Sequence, residues 1–158
     1  MEIVIDLGLL HKLVSVEMIS SLNELFGEPS WIIAPSAATK LKREKKETRF
    51  KHIHIASRKL HYKERELVAK MRGKFFMLSK EELEGIAIAR NRGVIYSTNE
   101  EAAKLACRGL EVRYMTLPML LKALWAKKIL TKKGVWEIID KMDRANLAKF
   151  EKVEKIFE

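Results

Sequence analysis

The sequence predicts an α/β fold: a three-layer α/β/α sandwich around a central parallel sheet of four to five strands. Three observations carry that prediction. Short runs such as Ile3-Val4-Ile5, Trp31-Ile32-Ile33 and Val94-Ile95-Tyr96 are apolar at successive positions, as strands covered on both faces must be. Segments of helical period separate them, the alternation that builds a parallel sheet. With 7 Gly and 3 Pro in 158 residues, the chain has too few turn formers for a loop-rich sandwich or a fibrous repeat. That length closes one substantial core, so residues 1–158 read as a single domain.

The elements follow in order. Glu2 to Asp6 reads as a buried strand ending in a carboxylate. Leu9 to Leu13 and then Val16 to Phe26 read as helical, with Ile19, Leu22, Leu25 and Phe26 on one face and Gly27 as a stop. Trp31 to Ala34 is the second strand, and Pro35-Ser36 opens a helix that runs into a basic block. Leu60 to Met71 is helical and closes near Gly73. Ser79 is an N-cap, with Glu82 completing a capping box and Leu83, Ile86 and Ala87 forming the apolar stripe of a helix over Lys80 to Asn91. Gly93 ends that helix, and Val94 to Ser97 is the third strand. A helix over Glu100 to Cys107 leads to a fourth strand, Glu111 to Met115. Leu117 to Ala126 is a short apolar helix, read as core or dimer surface. Gly134 to Phe157 carries apolar residues at helical spacing and reads as one long helix or two. No repeat and no linker divides the chain.

Composition narrows the function classes. A single cysteine, Cys107, excludes an internal disulfide and a Cys-built zinc site. No uncharged run approaches the roughly 20 residues of a bilayer crossing. The opening MEIVID has no signal-peptide pattern, so a cytoplasmic protein with no membrane partner is expected. The absence of Gln beside abundant Lys and Glu is the pattern thermophile proteins tend to show.

The net charge of +10 favours polyanion partners, nucleic acid above all. Lys40 to Lys74 holds 14 Lys and Arg against 4 Glu, which accounts for the whole net charge. This basic helical segment, 40–74, is the expected nucleic-acid grip, through Lys40, Lys42, Arg43, Lys45, Lys46, Arg49, Lys51, Arg58 and Lys59. Phe50 and Tyr62 are interleaved with the charges. The plainer account is a solvated surface. His52, His54 and His61 lie in the same block without a Cys or Asp to complete a metal shell.

Ligands of a parallel sheet sit outside the carboxyl ends of its strands. Asp6, ending the first strand, and Ser97 to Glu100, just past the third, therefore share one rim. No Gly-rich loop follows either strand, which argues against a dinucleotide or P-loop site. An Asp at the end of a buried strand is costly unless paired or metal-bound, the plainer account being a cap on the next helix. Glu82 and Glu84 flank the Leu83/Ile86/Ala87 stripe on opposite sides, and either could lean into a site. Asn99, Glu100 and Glu101 fit a ligand role or the first turn of a helix equally well.

The order of these features resembles the PIN-domain family: a strand ending in Asp6, the helix EELEGIAIARNRG, a strand into STNEEAAKLA, then RYMTLPMLLKALWAKKIL. The close subgroup runs as GEAEAIALA, SDDxxAR and a GTxxxLL-type helix, and the likeness covers most of the chain except the basic block. It implies an α/β/α fold and a Mg²⁺- or Mn²⁺-dependent ribonuclease, often a dimer and in many members the toxin of a toxin–antitoxin pair. RNA, an antitoxin protein and a second copy of the chain are thus the implied partners. Carried over by position, Asp6 matches the first acid, Glu82 the helix acid, and Glu100 with Asn99 the acidic pair. Asp6, Glu82 and Glu100 are then the implied catalytic residues, and these three with Asn99 the implied metal ligands.

The chain departs from the family at three places. Leu7-Gly8 offers no hydroxyl after Asp6, Lys40 stands where a Glu is common, and Asn99-Glu100 replaces an Asp pair. These departures define the alternative reading, a catalytically decayed PIN-like RNA-binding or scaffold protein.

Overall fold

The computed structural model describes residues 1–158. Its elements are β1 (Glu2–Ile5), α1 (Leu7–Ser15), α2 (Ile19–Phe26), β2 (Ser30–Ile32), α3 (Pro35–Arg43), β3 (Ile55–Ala56), α4 (Tyr62–Lys74) and α5 (Lys80–Arg92). There follow β4 (Ile95–Ser97), α6 (Glu101–Gly109), β5 (Tyr114–Met115), α7 (Leu117–Ala126) and α8 (Lys132–Arg144), with short 3-10 helices at Glu47–Phe50 and Val153–Phe157. The five strands form one parallel sheet in the order β3-β2-β1-β4-β5. Successive β1 side chains feed opposite layers. Ile3 and Ile5 join a core with α1, α2, α7 and α8, while Val4 joins a second core with Ile32, Tyr96 and the apolar faces of α4, α5 and α6. The α/β/α sandwich expected from the sequence is therefore the fold observed. No helix is long and apolar enough to cross a membrane.

Some boundaries differ from the sequence reading. Val16 does not open α2: its N–H caps α1, and Glu17 takes a left-handed φ of 58° before α2 begins. The C-terminal region is neither one helix nor two, since α8 ends at Arg144 and only the 3-10 turn at Val153–Phe157 follows. In α7, Leu117, Leu120, Leu121 and Leu124 are all fully buried, so that apolar stretch is core.

The largest correction concerns 40–74, which is not a continuous helical segment. α3 ends at Arg43, a 3-10 turn follows, and Ile55–Ala56 pairs with Trp31–Ile32 as an edge strand before α4 begins. The basic residues then find ordinary structural reasons as well. Lys40, Lys42 and Arg43 occupy the last turn of α3, where the helix dipole favours cations. Lys51, Arg58 and Lys59 flank β3, where charge discourages edge-to-edge pairing with another sheet.

The seating of α5 on the sheet depends on Gly85. A Cβ there would lie 2.8 Å from Cε2 of Tyr96, whose ring is fully buried. Gly85→Ala gains up to about 1 kcal/mol of helix propensity but forces the ring or the helix to shift, at about 1–3 kcal/mol. The expected result in urea denaturation is a net loss of about 1 kcal/mol for Ala and a larger loss for Val.

Candidate functional site

The strand order reverses between β1 and β4, and this switch point is where an open parallel sheet leaves a crevice. The backbone N–H of Asp6 donates to the Ser97 carbonyl at 2.9 Å, which fixes the carboxyl ends of the two strands side by side. Three helices begin at this edge, with Asp6, Ser79 and Glu100 as the N-caps of α1, α5 and α6. Their dipoles make the rim favourable to negative groups. The cleft there measures about 450 Å³ and is lined by Asp6, Glu82 and Glu100 together with Lys40, Lys46 and His11. Leu7, Gly8, Glu44, Ser79 and Glu81 complete its wall.

Each acid is held by local structure. Asp6 caps α1, its Oδ2 accepting from the Leu9 N–H at 3.0 Å. A Cβ on Gly8 would sit 3.1 Å from that oxygen, so the glycine keeps the carboxylate uncrowded. Glu82 forms the expected capping box: it accepts from Ser79 N–H at 3.2 Å, and its own N–H donates to Ser79 Oγ at 3.1 Å. Glu100 is exposed at the start of α6, its backbone N–H donating to Thr98 Oγ1 at 3.1 Å. The capping roles set beside Asp6 and Glu82 in the sequence are thus real, and both residues face the cleft as well.

The electrostatics follow from burial and crowding. Burial pushes the Asp6 carboxyl above the ordinary Asp value; the Leu9 N–H opposes this, and the charges of Glu82 and Glu100 add to it. Burial lowers the His11 imidazole, and Lys46, Arg49 and Lys40 push the same way against Glu44. In the second core, Tyr96 is held well above the usual tyrosine range by burial first and then by Asp6 and Glu82. The lining thus mixes carboxylates with cations, and Lys46 is ion-paired with Glu44 at 3.5 Å.

The remaining sequence candidates lie elsewhere. Asn99 does not line the cleft: its Oδ1 accepts from the Leu117 N–H at 3.4 Å, tying the end of β4 to α7. Of the nine basic residues, Lys40 and Lys46 line it, while Lys42, Arg43, Lys45, Arg49, Lys51, Arg58 and Lys59 are exposed outside its wall. Glu84, which periodicity left equivalent to Glu82, is buried and accepts from both the backbone N–H and the Oγ of Ser36, clamping the start of α3. His11, Glu44 and Glu81 were missed. The available signal for His11 was its place one turn beyond Asp6 in the helix leaving that rim.

Oxygen donors from separate elements, one half-buried and crowded by like charge, suit a hard divalent cation, which would relieve the repulsion. The three carboxylates face one cleft without closing into a cage: no three His, Cys, Asp or Glu side chains are close enough to hold an ion as they stand. Fold and site together define a class, an open parallel α/β protein with a carboxylate cleft at its switch point. No family model matches the chain, and no curated protein matches it.

Proposed function

We propose that the chain is a metal-dependent PIN-type endoribonuclease that hydrolyses RNA phosphodiesters in the Asp6–Glu82–Glu100 cleft. The observation that carries this reading is the meeting of those three acids with Lys40 and Lys46 at the switch point. Asp6 and Glu82 would hold Mg²⁺ or Mn²⁺, and Glu100 would serve as a third ligand or orient the attacking water. The ion supplies a water acidified to act as nucleophile and neutralises charge at the phosphate. Lys40 binds the non-bridging oxygens, joined by Lys46 when it exchanges its 3.5 Å pair with Glu44 for the phosphate, and the N-termini of α1 and α6 favour the same anion.

The open arrangement of the acids and the diversion of Asn99 to Leu117 favour a second reading, a decayed RNA-binding protein. One experiment separates the two. A pool of single-stranded and structured RNA is incubated with the chain in Mn²⁺, Mg²⁺ or EDTA, and binding is measured alongside. Cutting that requires the metal is the expected result; RNA bound and never cut would establish the second reading. The exposed cations outside the cleft enter through salt. Reversing Lys42, Arg43, Lys45 and Arg49 is expected to flatten the fall of affinity with salt, each lost phosphate contact reducing the log–log slope by about 1. An unchanged slope would make that patch merely a solvated surface.

A further inference from the structure

The turn between α4 and α5 presents two large apolar side chains where turn chemistry does not call for them. The Leu78 N–H donates to the Phe75 carbonyl at 3.1 Å, closing a turn with Phe76 and Met77 at its centre. Both ends are tied down: Phe75 packs against the core beneath α4, α5 and α6, and Leu78 is buried. The next residue, Ser79, is locked into the capping box with Glu82. Phe76 and Met77 themselves are 83% and 76% exposed. Neither residue has a positive φ, so the backbone makes no demand here for Gly, Asn or Asp and leaves the choice of side chain free. Two adjacent large apolar side chains left in solvent with no return in packing make a candidate contact surface.

The surroundings say what the pair would meet. From Arg72 through Lys80 every charge is positive: Arg72, Lys74 and Lys80, all exposed. Lysine is depleted at the centres of protein–protein interfaces, whereas an exposed aromatic ring on a segment whose flanking charges are cations suits a nucleic-acid strand, with a π-face for the base and charge for the phosphates. The position fits as well. Ser79 lines the acidic cleft, and Phe76 lies three residues before it, at most about 11 Å away along the chain. The turn is anchored at both ends, so little ordering is lost when it is covered.

We propose that Phe76, with Met77 beside it, is a stacking platform for an unpaired base of a single strand whose backbone enters the Asp6–Glu82–Glu100 cleft. This rests on the reading of that cleft as a nucleic-acid site. It makes Phe76 a positioning and specificity residue that favours single strands over duplex, because a paired base has no free face to offer.

The test is binding of a labelled short single-stranded RNA, and of the same sequence as a duplex, to the full chain in EDTA over a range of salt. Phe76→Ala is expected to weaken single-strand binding about tenfold. The ring carries no charge, so the salt slope stays as in the wild type, unlike the effect of removing a lysine. Duplex binding is unaffected, and Phe76→Trp restores the single strand. Unchanged affinity in Phe76→Ala, or an equal loss on the duplex, would overturn the platform. A change in oligomeric state with RNA affinity intact would overturn it in favour of protein docking. A wild-type chain that binds the strand and never cuts it with Mn²⁺ overturns the hydrolase reading and leaves the platform standing.

Discussion

Asp6→Asn is expected to reduce metal-dependent cleavage about a hundredfold or more, while leaving the metal-free fold at least as stable as the wild type. The two halves have separate causes. Activity falls because a neutral amide is a poor ligand for a hard cation, and the ion's charge stabilisation is worth several kcal/mol. Stability holds because Asn caps a helix about as well as Asp, so the contact with the Leu9 N–H survives.

The pH dependence separates these causes further. Burial, with the charges of Glu82 and Glu100, holds the folded-state pKa of Asp6 above its ordinary 3.8. The native state therefore binds the Asp6 proton more tightly than the unfolded state does. Its stability contribution is most favourable below 3.8 and is lost as pH rises from there through the raised folded value. At neutral pH the wild type carries the full penalty and Asp6→Asn carries none. In thermal melts without metal, the variant is expected to match or exceed the wild type at pH 7, and any advantage is expected to shrink as pH falls toward 4. Added Mn²⁺ should raise the melting temperature of the wild type and not that of the variant, since a ligand stabilises only the form that binds it. A variant that cuts RNA as well as the wild type would remove Asp6 from the mechanism.

What was legible in the sequence was what local pattern encodes. β1, β2 and β4 announce themselves as apolar runs, β5 only as the end of the mixed stretch Glu111 to Met115, and the Ser79–Glu82 capping box is visible as letters before it is visible as two hydrogen bonds. The rim followed from the same reasoning, because every strand of a parallel sheet ends on one edge. β3 was not read: His52-Ile53-His54-Ile55 alternates, but over too short a stretch to stand out among Lys, Arg and His, and pairing with β2 is what makes Ile55–Ala56 a strand. Nor could periodicity separate Glu82 from Glu84. Two positions apart, they leave the stripe on opposite sides, and the arrival of Ser36 at the start of α3 decides which one is clamped. Asn99 illustrates the converse. Its place beside Glu100 is consistent with a ligand, yet the backbone N–H of Leu117, 18 residues on, claims its oxygen.

The same limit hid Glu64, and it leads to the largest stability effect expected of a single side-chain change. Glu64→Leu should lower stability by about 3 kcal/mol, or roughly 6–12 °C in melting temperature for a chain of this size. In sequence Glu64 is one more acid in a basic helix. In the fold its side chain is 1% exposed and serves three donors. Oε2 accepts from the His61 N–H at 2.7 Å, closing the start of α4, while Oε1 accepts from Asn91 Nδ2 at 3.1 Å and Arg92 Nε at 3.4 Å at the end of α5. Leucine fills much of the same volume, so the loss comes from the polar groups left behind rather than from a cavity. The Arg92 guanidinium, about a fifth exposed, retains only the 3.9 Å approach to Glu2, and the N–H of exposed His61 loses its protein partner. Glu64→Gln should cost less, since its amide oxygen can still accept from one side, although its NH2 then faces groups that themselves donate. Glu64→Leu combined with Arg92→Met should recover part of the loss, because removing both partners of a buried pair is milder than stranding one. Urea denaturation of the three variants checks this. Because the clamp sits at the end of α5 remote from Glu82, the folded fraction of Glu64→Leu is expected to keep its affinity for RNA. A loss of affinity as large as the loss of stability would mean that the α4–α5 pairing sets the cleft directly.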